Sequence, residues 1–211
     1  FVDVNIAADA VPGTYTLIFS DGKRSYKYDY VIAERVAGSK ERASFTTADM
    51  VYLIMPDRFA NGNPANDSTD DTTEKALRSN PGRRHGGDIQ GIIDHLDYIA
   101  DLGATAIWCT PLLLDDENGA SYHGYSCSDY YLIDPRYGSN DLYKEMVSKA
   151  HDKGIKFLMD MVPNHCGGAH WWCKDKPAKD WFHEWPQYTG SNYRMTAWTD
   201  PHASEIDKLI L

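Results

Sequence analysis

Cysteine is scarce in this chain. Its 211 residues include only Cys109, Cys127, Cys166 and Cys173. Four cysteines allow three full pairings, but no spacing makes a Cys-x-x-Cys metal knuckle, so free and partly buried thiols are expected. Long apolar runs are also missing. The longest uncharged stretch, Leu102 to Leu114, is interrupted by Pro111 and is too short to cross a bilayer, which excludes a helical membrane span. Positive charge is in deficit: 21 basic against 31 acidic side chains give a formal charge of -10. That field repels phosphate backbones and anionic lipid, so nucleic acid is not an expected partner. No repeat or low-complexity tract interrupts the chain, and 42% hydrophobic residues suffice for a buried core. The first residue is Phe1, inside what already reads as a strand, so any signal peptide is expected upstream of it.

The opening segment reads as all-β. Thr14 to Ser20 places Tyr15, Leu17 and Phe19 on one face, and Ser25 to Ile32 does the same with Tyr26, Tyr28, Tyr30 and Ile32. Asp21-Gly22 between them predicts a two-residue hairpin with positive φ at both positions. Residues 1–36 are therefore expected to be the last strands of a β-sandwich domain whose other strands precede Phe1, since two strands do not make a stable sandwich. Residues 37–49 are polar and aperiodic, as a linker would be.

From Met50 the pattern alternates. Met50 to Met55 is a nearly continuous apolar run, predicting a strand buried on both faces. Ile89, Ile92, Ile93, Leu96, Ile99 and Leu102 predict one helix stopped by Gly103. Ala104 to Cys109 is a second strand, Asn140 to Asp152 a second helix stopped by Gly154, and Ile155 to Met161 a third strand. Parallel βαβ units follow, in either a doubly wound sheet or a barrel. Residues 166–211, with Trp171, Trp172, Trp181, Trp185 and Trp198 among turn residues, lose the period and read as the start of an inserted subdomain.

Chemistry is expected where parallel strands end. Asp160-Met161-Val162-Pro163-Asn164-His165 follows the third strand, and its carboxylate, amide and imidazole could hold sugar hydroxyls. The same residues could equally serve as a strand cap and a core hydrogen bond. After the second strand come Tyr122-His123-Gly124-Tyr125 and Asp129-Tyr130-Tyr131. Aromatic faces stack on the C–H faces of sugars, although a loop packed by its own tyrosines has the same composition. Asn61 to Asp67 gathers carboxylate, amide and backbone oxygens, the ligand types of calcium, without the spacing or terminal Glu of an EF-hand. A solvated Asn/Asp turn would look alike.

These motifs, in this order, resemble the α-amylase family of glycoside hydrolases. DMVPNH at Asp160 to His165 resembles the family's first signature block, and His123-Gly124-Tyr125 with Asp129-Tyr130 its loop after strand two. Asp57 to Asp67 followed by Gly86-Gly87-Asp88 is similar to the start of the barrel in the cyclomaltodextrinase and neopullulanase branch. The resemblance covers about Val51 to His165 and implies that residues 50–165 are the first part of a (β/α)8 barrel.

It further implies substrate-binding roles for His123, Tyr125 and His165, site-supporting roles for Asp160 and Asn164, and calcium as a cofactor on Asn61, Asn63, Asn66, Asp67, Gly86 and Asp88. The implied partner is an α-glucan such as cyclodextrin, pullulan, malto-oligosaccharide or starch. The implied chemistry is retaining hydrolysis by two carboxylates about 5 to 5.5 Å apart. None of the family's later blocks, which carry those carboxylates, occurs between Cys166 and Leu211, so no catalytic residue is assigned in this chain. Transglycosylation or isomerisation on the same barrel, or a binding protein without the carboxylates, are the alternative readings. The family's habits suggest a periplasmic or extracellular location, with cytoplasmic homologues also known.

Overall fold

Alternating apolar residues on Gly13–Ser20 (β1) and Ser25–Ile32 (β2) pair these strands antiparallel, with Tyr15 opposite Tyr30, Leu17 opposite Tyr28 and Phe19 opposite Tyr26. One face is thereby aromatic, as expected. In the computed structural model, which describes residues 2–42 and 44–182, the hairpin turn differs from its prediction. Ser20 pairs with Ser25, so the loop holds Asp21 to Arg24, and of its residues only Gly22 has positive φ, at 85°. The physical reason is Asp21: its Oδ1 accepts the N–H groups of Lys23 at 2.8 Å and Arg24 at 2.7 Å, an Asx-type turn that favours the longer loop.

The remaining elements are Val51–Ile54 (β3), Pro56–Phe59 (α1), Ile89–Asp94 (α2), Leu96–Asp101 (α3), Ala106–Cys109 (β4), Leu113–Leu114 (β5), Asp129–Ile133 (β6), Asn140–Asp152 (α4) and Lys156–Met159 (β7). β3, β4 and β7 form a parallel sheet in that order, with Leu53, Trp108 and Leu158 in register on one face and Tyr52, Ile107 and Phe157 on the other. Ile54, Ile107 and Cys109 share a buried core with Ile89, Ile92, Leu96, Ile99, Met146 and Ala150 of the helices.

The helices therefore cover one face. Among the described residues no helix covers the opposite face, where Leu53 is 56% and Trp108 39% exposed; in a closed barrel that face is the packed interior. A doubly wound sheet carries helices on both faces, whereas a barrel carries them only outside. Helices on one face only are what the outside of a barrel carries.

The single helix expected from Ile89 to Leu102 is broken at His95. Its Nδ1 lies 2.7 Å from the Gly91 carbonyl, the acceptor its own backbone N–H would use in an α-helix. That N–H turns instead to the Ile92 carbonyl at 3.1 Å. Apolar periodicity runs on across such a break, so the pattern alone does not register it. The second helix matches its expected bounds: Ser139 Oγ accepts Leu142 N–H at 3.1 Å as N-cap, and Met146 and Ala150 are fully buried.

The loop after β4 also departs from expectation, since Leu113–Leu114 and Asp129–Ile133 pair antiparallel where only loop was predicted. The chain divides into two compact units, Phe1–Asp175 and Lys176–Leu211. Residues 166–175 thus fall in the first, where Gly167 N–H donates to the Cys127 carbonyl at 2.7 Å. In the second, Trp181 N–H donates to Ala178 at 3.2 Å. Trp185, Trp198 and the rest of the expected subdomain lie outside the described residues.

Candidate functional site

β4 and β7 run parallel, so their carboxyl ends lie side by side and bring two separate loops together. Trp108, near the end of β4, points to the open face, and its indole N–H donates to Asp160 Oδ2 at 3.1 Å. The Tyr125 hydroxyl donates to the same oxygen at 3.2 Å. His165 Nε2 donates to the Tyr125 carbonyl at 2.9 Å, and Tyr125 N–H donates to His123 Nδ1, also at 2.9 Å.

Each imidazole thereby has a defined tautomer. His165 carries its proton on Nε2, leaving Nδ1 to face Asn164 Nδ2 at 3.4 Å. Neutral His123 carries its proton on Nε2, because Nδ1 is an acceptor. Burial pushes the His123 pKa down, which favours that neutral form, and burial followed by the Asp160 carboxylate pushes the Tyr125 phenol up. Tyr125 thus remains a hydroxyl donor at neutral pH while its ring, 38% exposed, stays available to a ligand.

His123, Tyr125, Asp160, Asn164 and His165 therefore meet. Of the second tyrosine group, Tyr130 serves this cluster through its hydroxyl, 3.0 Å from the Val162 carbonyl and 2.7 Å from that of His165. Tyr131, the next residue on β6, is 91% exposed. A hollow of about 460 Å³ lined by Phe45, Val51, Trp108, Leu158, Met159, Asp160 and Met161 lies on the sheet face that in a closed barrel is packed as its interior. A half-exposed aromatic ring tied to a carboxylate and set between two imidazoles suits a polyhydroxylated ligand with apolar faces.

Gly124 sets the tyrosine's approach. Its φ is +79° and an added Cβ would fall 2.0 Å from the Pro111 carbonyl oxygen, so only glycine lets the chain turn there.

Beneath the loop lies a buried polar network that the sequence did not disclose. Arg136 grips Asp134 with Nε at 2.9 Å and Nη2 at 2.7 Å, and also donates to the carbonyls of Glu74 at 2.8 Å and Asp115 at 2.6 Å. Arg84 donates to the Ser121 carbonyl at 3.1 Å and lies 4.4 Å above the Tyr137 ring. Glu74 accepts Ser121 N–H at 2.7 Å. Apart from Arg136 and Asp134, these partners are far apart in sequence, and buried charges persist only when paired in this way.

The oxygen-rich segment is also assembled. Gly86, with φ +91°, sits where a Cβ would lie 2.6 Å from the Asp67 carboxylate, and its N–H is held by Asp57 Oδ1 at 3.2 Å. Asn61 Nδ2 donates to Asp67 Oδ1 at 2.7 Å. Asn61 Oδ1 and Asn66 Oδ1 are buried and find no donor among the described residues, as amide oxygens poised for a hard cation would be.

Asn63 Oδ1 accepts Ala65 N–H at 3.2 Å. Asp88 accepts backbone N–H groups on both oxygens, from Gly62 at 3.1 Å, Asn63 at 2.8 Å and Gly91 at 2.7 Å. Asp88 thus closes the loop and caps α2 together. No three His, Cys, Asp or Glu side chains cluster as metal ligands among the described residues, so a cation here would rest largely on amide and backbone oxygens.

All four cysteines are free, Cys109 and Cys127 buried. Burial pushes the Cys127 thiol up to about 11, an inert state at neutral pH. No helix among the described residues is long and apolar enough to cross a membrane.

The family model for the catalytic domain of alpha amylase matches residues 53–206. A cyclomaltodextrinase of Geobacillus thermopakistaniensis is 42% identical over 147 residues, 65% of this chain and 24% of the relative. An intracellular maltogenic amylase of Bacillus subtilis is 37% identical over 162 residues, 70% of this chain and 26% of the relative. Among solved structures, an Anoxybacillus alpha-amylase matches with a TM-score of 0.59 and 41% identity, over 71% of this chain and 31% of that one. The chain spans about a quarter to a third of the length of these relatives.

Proposed function

The chain belongs to the α-amylase family, its parallel strands forming part of a TIM barrel, and on that premise we propose that it supplies half of the substrate wall of a retaining α-glucan hydrolase of the cyclomaltodextrinase type. The observation that carries this reading is the convergence of Tyr125 and Trp108 on one oxygen of Asp160, with His123 and His165 fixing the tyrosine's backbone. In this reading Tyr125 stacks under the sugar ring at the cleavage subsite, and its phenolic O–H stays tied to Asp160. His123 donates to a sugar hydroxyl through its Nε2–H, and His165 does so by exchanging its bond to the Tyr125 carbonyl for one to the sugar. Asp160 orders the site and is not the nucleophile, and Asn164 steadies His165.

The nucleophile and the acid/base belong to parts of the enzyme beyond residue 211, as two carboxylates about 5 to 5.5 Å apart. Cyclodextrins, pullulan and malto-oligosaccharides are the substrates this branch of the resemblance favours. The B. subtilis relative is intracellular by name, which favours the cytoplasmic reading of location over the exported one.

Calcium belongs to the same proposal. Asn61, Asn63, Asn66, Asp67, the Gly86 carbonyl and Asp88 would hold it, and the two unpartnered amide oxygens support the fit. Bound calcium would supply fixed positive charge that locks the loop after β3 against the start of α2. The function is tested by assaying reducing-sugar release from β-cyclodextrin and pullulan. The full-length enzyme is expected to be active and the 211-residue chain inactive. Sugar release by the chain alone would refute the division of labour, and a full-length protein inert on every α-glucan would favour the non-catalytic binding alternative.

A further inference from the structure

Tyr125 is bracketed by hydrogen bonds on both sides, and one of them reaches a group the sequence did not single out. Asp115 lies directly after β5 and is fully buried. Its Oδ2 accepts the N–H of Ser126, the residue after Tyr125, at 3.1 Å, and its Oδ1 accepts Glu117 N–H at 3.3 Å. Oδ2 also lies 3.9 Å from His123 Nδ1, the atom that receives Tyr125 N–H.

Asp115 is itself anchored from below. Its N–H donates to Asp134 Oδ2 at 3.3 Å and its carbonyl accepts Arg136 Nη2 at 2.6 Å. It therefore joins the Arg136–Asp134 pair to the backbone immediately after the tyrosine and, at 3.9 Å, approaches the His123 imidazole that accepts the tyrosine's N–H. A buried carboxylate without a strong cationic partner is costly, and this one spends its oxygens on two loop N–H groups.

We propose that Asp115 is a positioning residue for the α-glucan site, fixing from beneath the loop the backbone that aims the Tyr125 ring at the sugar. The proposal rests on the reading of Tyr125 as a sugar-stacking residue. The charged and titratable groups around Asp115 are Glu117 and His123 from its own loop and Asp134 and Arg136 from the turn after β6, with Glu74 and Arg84 from the segment after β3 closing the network. The Arg136 side chain is engaged by Asp134, and no Lys or Arg side chain forms an ion pair with the Asp115 carboxylate among the described residues. Burial therefore pushes its pKa up to about 7. In consequence the carboxyl changes charge near neutral pH, directly under the loop it holds.

Steady-state kinetics of the full-length enzyme on β-cyclodextrin between pH 5 and pH 9, with melting temperatures of the same proteins, tests this for wild type, Asp115→Asn, Asp115→Ala and Tyr125→Ala. Wild type is expected to show a step in kcat/KM near pH 7 that Asp115→Asn lacks, because the amide does not titrate. Below that step Asp115→Asn should stay within about threefold of wild type, retaining one acceptor for the loop. Asp115→Ala, with none, should lose about tenfold or more at every pH. If Asp115→Ala melts earlier yet keeps wild-type kcat/KM and the same pH step while folded, the positioning role is overturned. If Asp115→Ala does not fold, an Asp115→Asn variant that keeps the step overturns it instead. Unchanged kinetics in Tyr125→Ala would remove the sugar-site reading itself, and a defect there with none at Asp115 would remove only the positioning role.

Discussion

Trp108 on β4 and Asp160 directly after β7, far apart in sequence, are joined by an indole N–H donated to a carboxylate oxygen at 3.1 Å. The bond lies on the open face of the sheet, where the register places Trp108 beside Leu53 and Leu158. An otherwise apolar wall therefore ends in a polar contact at the site. Asp160 thus has one donor from the strand and one, the Tyr125 hydroxyl, from the loop.

That contact gives the first prediction. Trp108→Phe retains an aromatic wall but removes the donor, and a hydrogen bond to a charged group contributes about 1.5 to 3 kcal/mol. In the full-length enzyme kcat/KM should fall about tenfold or more, with a melting temperature within a few degrees of wild type. Steady-state kinetics beside thermal melts checks it. A variant with wild-type kcat/KM would mean that Tyr125 alone holds Asp160.

Calcium gives the second. A ligand that binds only the folded state stabilises it by about 2.7 kcal/mol at a hundredfold excess over its Kd. Melting temperature should therefore rise on titrating calcium into protein stripped with chelator. Asp67→Ala should abolish the rise, since Asp67 is the carboxylate set against Gly86 and bonded to Asn61. Asp88→Ala should lower stability even without calcium, because it also removes acceptors for three backbone N–H groups. A melting temperature indifferent to calcium would reject the site.

How much of this was readable beforehand depended on the range of the signal. The helix Asn140–Asp152 was legible to its ends because its cap, its apolar face and Gly154 are local. That His123, Tyr125, Asp160, Asn164 and His165 belong together was implied by the resemblance rather than by position, which left packing roles open; in the fold their hydrogen bonds link them. Local pattern could not reveal that His95 diverts a helical hydrogen bond through its side chain, nor that Leu113–Leu114 pairs with Asp129–Ile133. It likewise missed Trp108, read only as part of an apolar strand, although a polar-tipped aromatic at the carboxyl end of a barrel strand is itself a signal. Asp115 and the Arg84–Arg136 network depend on contacts across the loops, where composition gives no warning.

The third prediction concerns pH and stability. The Asp115 carboxyl titrates at about 7 in the folded protein against roughly 3.9 when unfolded. A raised folded pKa means the native state binds the proton more tightly. Its contribution to stability is full below about pH 4 and is lost as pH rises through about 7. Asp115→Asn, which stays neutral, should therefore gain melting temperature relative to wild type between pH 5 and pH 8. Melts across that range check the sign, and a difference independent of pH would show that Asp115 is not buried as a neutral acid.

The central claim is that Tyr125 faces the sugar rather than the core, and paired measurement of turnover and stability on Tyr125→Ala tests it most directly. Stacking under the reacting ring counts most in the oxocarbenium-like transition state. The full-length variant should therefore lose kcat and kcat/KM together, by about a hundredfold, and melt close to wild type, as the ring's exposure requires. A packing role would instead cost about 3 to 5 kcal/mol of stability. A Tyr125→Ala enzyme that melts far earlier but turns over at the wild-type rate while folded would contradict the account.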